Sequence, residues 1–270
     1  MRSLRPLTFL LLLLAPFACA PAPRPAAHPH RVVSLAPNIT ELVYALGAGD
    51  AIVGTDDYSD TPPAAKAKPK VGGVVPNIER ILALHPDVVF VASSNAGPQL
   101  LGALQRVHLR YEVIRTDRAS DVPAAMERIG QRLGLANAHA ARTALENALA
   151  QQHRTRTKRP RVLFVAYTQP LYVAGRKTFT GDILELCGAE NAAQVDGWPQ
   201  YSVEAVIANP PDVVLHPDRS VPHAQVVALF EHALVKPRIF AVDENVFSRP
   251  GPRIVAAAQR LNAILDLAKF

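Results

Sequence analysis

Short apolar runs separated by amphipathic stretches recur from residue 31 onward, and their spacing predicts alternating strands and helices. Val32 to Leu35 forms the first strand, and Asn38 or Thr40 can cap a helix that stops at Gly47. Ile52 to Thr55 is the next strand, Asn77 caps a helix to Leu84, and Val88 to Val91 is a continuous apolar strand. A helix near Gln99 to Gln105, a strand at Tyr111 to Ile114 and a helix from Ala124 to Leu133 follow. The alternation then returns, with strands at Val162 to Ala166, Tyr172 to Ala174, Val213 to Leu215 and Ile239 to Val242. Helices ending at Cys187-Gly188, from Val203 to Ala208, from Ala224 to Glu231 and from Arg253 to Leu267 separate and close them. Apolar strands this short, alternating with helices, predict the α/β class with parallel sheets covered on both faces.

Two segments of the pattern align with each other. Asn77-Ile78-Glu79-Arg80-Ile81 through His85-Pro86-Asp87-Val88-Val89-Phe90 matches Ser202-Val203-Glu204-Ala205-Val206 through Pro210-Pro211-Asp212-Val213-Val214-Leu215. Each runs from a capping residue through a short helix with Glu in its first turn to Pro-Asp and an apolar strand. Proline lacks an amide and restricts the residue before it, so the Pro-Asp step ends each helix and opens each strand. The match predicts two related α/β lobes, 31–135 and 158–270. Between them, Ala141, Leu145, Ala148 and Leu149 fall at helical spacing within Ala138 to Gln152, which assigns 136–157 to a single long connecting helix of about 20–25 Å. A cleft between two such lobes is a natural ligand site.

The start of the chain has a different pattern. Arg2 and Arg5 precede an apolar stretch from Leu7 to Ala18, too short for a hydrocarbon core that needs roughly 20 residues. Residues 1–20 are therefore expected to be a secretory signal peptide, and the Pro- and Ala-rich residues 21–30 a tether. Ala18-Cys19-Ala20 fits an A-x-A cleavage site, or Cys19 carries the lipid of a lipoprotein; both readings stay open. Export predicts a periplasmic location, with membrane contact only through a partner or that lipid.

Charge and cysteine usage narrow the function classes. The formal charge is +6, but the densest basic run, Arg154 to Arg161, has no interleaved aromatics and matches no nucleic-acid motif, so it is expected to be a solvated linker and nucleic acid is not an expected partner. The second cysteine, Cys187, ends an apolar helix and is expected in the core rather than as a nucleophile. The chain has no G-x-S-x-G, phosphate loop or G-x-G-x-x-G, so an enzyme is the weaker class and no catalytic residue is assigned. His28, His30, His216 and His223 lack zinc-site spacing and are expected at the surface, and no metal site or resident cofactor is predicted. An exported structural or adhesion protein is the third class.

Several motifs together carry a resemblance. Arg31-Val32-Val33-Ser34-Leu35-Ala36-Pro37-Asn38, Gly54-Thr55-Asp56-Asp57-Tyr58-Ser59-Asp60-Thr61-Pro62, Asn77-Ile78-Glu79-Arg80-Ile81, Leu184-Glu185-Leu186-Cys187-Gly188, Trp198-Pro199-Gln200 and Pro252-Arg253-Ile254 resemble the helical-backbone metal-receptor family of periplasmic binding proteins. The similarity spans residues 31 to 268 and is nearest to the members that bind vitamin B12. It implies two α/β lobes joined by one helix, no enzymatic activity, and capture of a small molecule for an ABC importer's permease dimer and ATPase subunits. It also implies permease docking through Glu79 and Glu204, and both lie in a first helical turn, where the helix dipole stabilises an anion.

For the ligand, the resemblance implies a corrinoid such as vitamin B12, held by Tyr58, Tyr172, Trp198, Asn245 and Arg249. Rigid aromatic rings bury large area against a flat macrocycle. Gly73 and Ala92 stand where the B12-binding members have tryptophans, and Asn245, beside Asp243 and Glu244, stands where they have an acid. A smaller or differently substituted corrinoid is thus compatible. Heme is the rival ligand, but Thr61 replaces the tyrosine that precedes the equivalent of Pro62, leaving Tyr58 three residues earlier to reach iron. A ferric siderophore would draw on Arg176, Lys177 and Arg249.

Overall fold

The computed structural model describes residues 31–268, so the predicted signal segment, the tether and Cys19 lie outside the described residues. The elements follow in order as β1 (Val32–Ser34), α1 (Pro37–Ala45), β2 (Ile52–Thr55), α2 (Pro63–Lys66), α3 (Ile78–Ala83), β3 (Val88–Ala92), α4 (Pro98–Arg106), β4 (Tyr111–Ile114) and α5 (Asp121–Arg132). Then come α6 (Ala138–Ala150), β5 (Arg161–Thr168), β6 (Leu171–Val173), α7 (Phe179–Leu186), β7 (Glu190–Asn191), α8 (Val203–Ala208), β8 (Val213–Pro217), α9 (His223–His232), β9 (Arg238–Val242), α10 (Glu244–Phe247) and α11 (Ile254–Leu267). The first sheet has the order β2-β1-β3-β4 and every pairing in it is parallel. In the second sheet β7, β8 and β9 make the parallel ladder with β5 in the order β7-β5-β8-β9, which repeats the first. The expected parallel central sheets are present, and the upper half of β5 additionally takes β6 as an antiparallel partner. Only Gln169 and Pro170 separate β5 from β6, which permits a hairpin and not a crossover.

Strand alternation sends side chains to two different cores. Val32, Val88 and Phe90 face the core shared by the lobes, whereas Val33, Val89 and Val91 face an outer cluster under α3 and α4. In the second sheet Val162, Phe164, Val213 and Leu215 join the shared core, and Leu163, Val165 and Val214 pack outward with Val206, Val226 and Phe230. This is the period-2 pattern of strands buried on both faces. The shared core continues through Leu145 of α6, with Ala141 and Leu149 packed against it, and through Ala257, Ala258 and Leu261 of α11. The two sheets are thus joined by packed side chains as well as by the chain.

The aligned segments occupy equivalent places. Asn77 accepts the Arg80 amide at 2.9 Å and Ser202 the Ala205 amide at 3.1 Å, so both side chains cap their helices. At the other end, the Asp87 carboxylate accepts the Arg31 amide and Asp212 accepts the Arg161 amide, each at 2.8 Å. Asp87 and Asp212 in turn donate their own amides to the Arg31 and Arg161 carbonyls, again at 2.8 Å. Each Pro-Asp joint thereby fastens its helix exit to the start of the lobe's first strand.

Several local expectations are corrected. Neither Asn38 nor Thr40 caps α1; Ala36 holds the cap position and Pro37 starts the helix, as suits a residue with no amide to leave unpaired. The connecting helix ends at Ala150 rather than reaching 157, because turn and coil fill the stretch to β5. Its 13 residues still give about 20 Å of helix. That coil is anchored: Arg156 donates to the Cys187 carbonyl at 3.0 Å and to Asp266 at 2.7 Å, so it is not a freely solvated linker residue. His216 is buried on β8 instead of exposed, held between the Pro217 carbonyl and His223, and burial keeps its pKa below the ordinary value. Cys187 is fully buried, as the apolar helix end predicts.

Candidate functional site in the cleft between the lobes

Residues from both lobes line an open cleft of about 640 Å³, within the roughly 300–1,000 Å³ of typical small-molecule pockets. Tyr58, Ala92 and Asp117 stand on one wall and Lys177, Trp198, Glu244 and Arg249 on the other. No histidine, methionine or cysteine lies among these lining residues, which leaves Tyr58 as the only strong iron ligand apart from the carboxylates.

Tyr58 projects from a loop whose base is a buried polar network. Asp56 and Ser59 are buried with Ser34, Thr40 and Thr55 beneath them. The Ser59 hydroxyl bonds Asp56 and lies 2.8 Å from Thr40, while Lys70 donates to the Ser59 carbonyl at 2.6 Å and to Thr55 at 2.9 Å. Burial raises the Asp56 carboxyl above its ordinary pKa, against the lowering effect of Ser59 and the Tyr58 amide. The Tyr58 ring, 55% exposed, passes close to Gly73: a Cβ there would sit 3.1 Å from the phenolic oxygen. The missing side chain at Gly73 therefore makes room for the Tyr58 ring.

Trp198 reaches the cleft from the opposite lobe. Gly197 adopts φ +76°, a conformation open to glycine at little cost, and its amide donates to the Arg176 carbonyl at 2.7 Å. This turn sets the indole edge-on to Phe164 and tilted against Phe179, with ring centroids 6.4 and 6.2 Å away. The indole remains 43% exposed. One face is thus braced by the shared core while the rest is open to the cleft, so two aromatic platforms, one per lobe, frame the space.

Arg249 is placed at the cleft but is committed elsewhere. Its guanidinium donates to Asp60 at 2.7 Å and to the Tyr58 carbonyl at 3.3 Å, and lies 3.4 Å from Glu41. Arg253 completes the cluster, bonding both Glu41 oxygens at 2.8 and 2.7 Å. These contacts tie the end of the second lobe to α1 and the Tyr58 loop of the first. Burial raises the Glu41 carboxyl, only partly offset by the two arginines. Burial also works on Asp60, but there the Arg249 hydrogen bond and charge prevail and hold it below its ordinary value.

Two expected ligand contacts are absent from the cleft lining. Tyr172 sits on β6, where its backbone pairs with Tyr167 and bridges to Gln200. Asn245 lies in the first turn of α10 with its amide oxygen buried and unpartnered among the described residues, and the preceding Glu244 lines the cleft in its place. Of the siderophore set, Arg176 and Lys177 both pair with Asp196, at 3.2 and 2.6 Å, and Lys177 and Arg249 line the cleft while Arg176 does not. Asp117 and Glu244 were missed as lining residues, since nothing in the local pattern marks a loop carboxylate as cleft-facing.

Glu79 and Glu204 are exposed in the first turns of α3 and α8, outside the cleft. One turn further on, each helix exposes an aliphatic side chain, Leu82 and Ile207. The Glu204 carboxyl is held below its ordinary value by its own backbone amide and the Ser202 hydroxyl.

Comparisons with known proteins agree with this geometry. Residues 32–251 match the family described as periplasmic binding protein. The vitamin B12-binding protein of Pectobacterium atrosepticum is 31% identical over 268 residues, covering 94% of this chain and 92% of that protein. Among solved structures, the apo periplasmic heme-binding protein RhuT from Roseiflexus superposes with a TM-score of 0.77 at 26% identity, covering 87% of this chain and 97% of its own. The periplasmic vitamin B12 binding protein BtuF of Vibrio cholerae shares the fold at a TM-score of 0.73 and 24% identity, with 89% and 98% covered.

Proposed function

The chain belongs to the periplasmic binding protein family, and from that premise we propose that it captures a corrinoid of the vitamin B12 type in the interlobe cleft and delivers it to an ABC importer in the periplasm. The observation that carries the reading is the pair of aromatic platforms, Tyr58 and Trp198, presented by opposite lobes across one open cleft. Flat macrocycles gain most from such rigid rings, because stacking adds to simple area burial. Arg249 holds the Tyr58 loop rather than the ligand, and Lys177 is paired, so the cleft offers no free cation to an anionic siderophore.

Heme is the second reading, favoured by the heme-binding structural relative above and by the exposed Tyr58 phenol in the cleft. Calorimetric titration with cyanocobalamin, cobinamide and hemin separates the two. Submicromolar corrinoid binding with weak hemin supports the proposal. Hemin binding tightly, with a charge-transfer band that Tyr58→Phe abolishes, replaces it with heme capture.

Delivery rests on Glu79 and Glu204, which stand at equivalent places of the repeated lobes and suit a partner with two-fold pseudo-symmetry and paired cations. Leu82 and Ile207 extend each acidic point with an apolar one. Reversing both charges, with Glu79→Lys and Glu204→Lys, should abolish uptake by a reconstituted importer and leave ligand affinity unchanged. Unchanged uptake would remove these residues from docking.

A further inference from the structure

We infer that the cleft selects its ligand by charge, favouring a net cation through Asp117 on one wall and Glu244 on the other; this deepens the corrinoid reading and rests on it. Four ionisable residues besides Tyr58 line the cleft, namely Asp117, Lys177, Glu244 and Arg249. Both cations are paired with carboxylates, Lys177 sharing Asp196 with Arg176, which lies outside the cleft lining. Lys177 lies 2.6 Å from Asp196. Arg249 and Arg253 together face the two carboxylates of Glu41 and Asp60. The two acids have no such compensation among the described residues.

Asp117 receives only the Ser93 hydroxyl, at 2.9 Å, and is otherwise exposed. Glu244 receives the Ser220 amide at 2.9 Å. Arg219, next to Ser220, pairs with Asp218. With Arg176 and Lys177 counted against Asp196, the acids around the cleft still exceed the cations by one, in a chain whose formal charge is +6. Low-dielectric walls concentrate such a field on whatever occupies the space between them.

The two carboxylates come from different lobes, as the two aromatic platforms do. Asp117 follows β4 of the first sheet and Glu244 opens α10 after β9 of the second, the last strand in each order. A flat ligand held between Tyr58 and Trp198 is thus flanked by negative charge from both sides. A corrinoid whose cobalt carries water is a cation, whereas the same corrinoid with cyanide on cobalt is neutral. The cleft then discriminates between axial forms of one macrocycle without touching the metal.

The test compares aquocobalamin and cyanocobalamin, which differ by one axial group and one unit of charge, on the full exported chain at slightly acidic pH. At about 0.01 M salt, where the screening length is roughly 30 Å, aquocobalamin should bind about three- to tenfold more tightly. The preference should vanish near 1 M salt, with its screening length of about 3 Å. It should also vanish in the double variant Asp117→Asn, Glu244→Gln, whose thermal unfolding midpoint should match the parent and so report an intact fold. Equal affinities at low salt overturn this inference and leave corrinoid capture standing. So does a preference that persists at 1 M salt with a shifted visible spectrum, which means that a side chain has replaced the cobalt-bound water. Failure of both cobalamins to bind overturns corrinoid capture and this inference together.

Discussion

Cys187 carries a pH signature that belongs to one residue. Burial pushes its thiol from 9.0 up to about 12, so between these values an unfolded chain releases a proton that the folded chain keeps. Stability must then fall as pH rises through that window, by on the order of 4 kcal/mol in all. Urea midpoints measured from pH 8 upward should show a shallower alkaline decline in Cys187→Ala than in the parent, even though the variant starts lower. At the cleft, Trp198→Ala should weaken ligand binding by about 1–3 kcal/mol, read by calorimetry. No change would take the indole out of the site. Trp198 was legible from the chain because a loop tryptophan between Gly197 and Pro199 is unusual enough to notice, whereas Tyr58, between Asp57 and Ser59, came only through the family resemblance. Arg249 was legible as a cleft residue but not in its role, since Glu41 and Asp60, which claim it, lie about 190 or more positions away. Asn245 missed the cleft by one residue, the margin by which a side chain's direction changes in a short helical turn.

At the level of elements, the two helix-to-strand joints were the most legible part of the fold. Capping residue, helix, Pro-Asp and strand are all local, so Asn77 and Ser202, Asp87 and Asp212 came out as the pattern required. Asn77→Ala and Ser202→Ala should each cost about 1 kcal/mol. The double variant should lose close to the sum, because the caps lie in separate lobes with no shared partner, and denaturant titration of the four proteins checks it. The strands β6 and β7 were less legible. β7 has two residues and no apolar run, and β6 takes its direction from a turn that periodicity does not describe. His216 was placed at the surface for a related reason: a histidine after an apolar strand looks like a terminus until β9 pairs beside it.

For the whole molecule, one core passes through both lobes and two ion-pair clusters cross between them, Glu41 with Arg249 and Arg253, and Arg118 with Asp182. Removing one partner of a buried pair costs roughly 3–5 kcal/mol. Glu41→Ala should fall at the lower end, since its arginines keep some solvent exposure. Scanning calorimetry should show the parent unfolding in one transition, and two resolved peaks would mean that the lobes fold independently. The same continuity of packing governs how fast the protein can load. Because side chains from both lobes share a core directly beneath the cleft, its mouth is expected to stay open when it is occupied as well. Capture then needs no opening step, so arrival should be set by diffusion and orientation alone. Differences in grip between one ligand and another should appear almost entirely in how long each one stays.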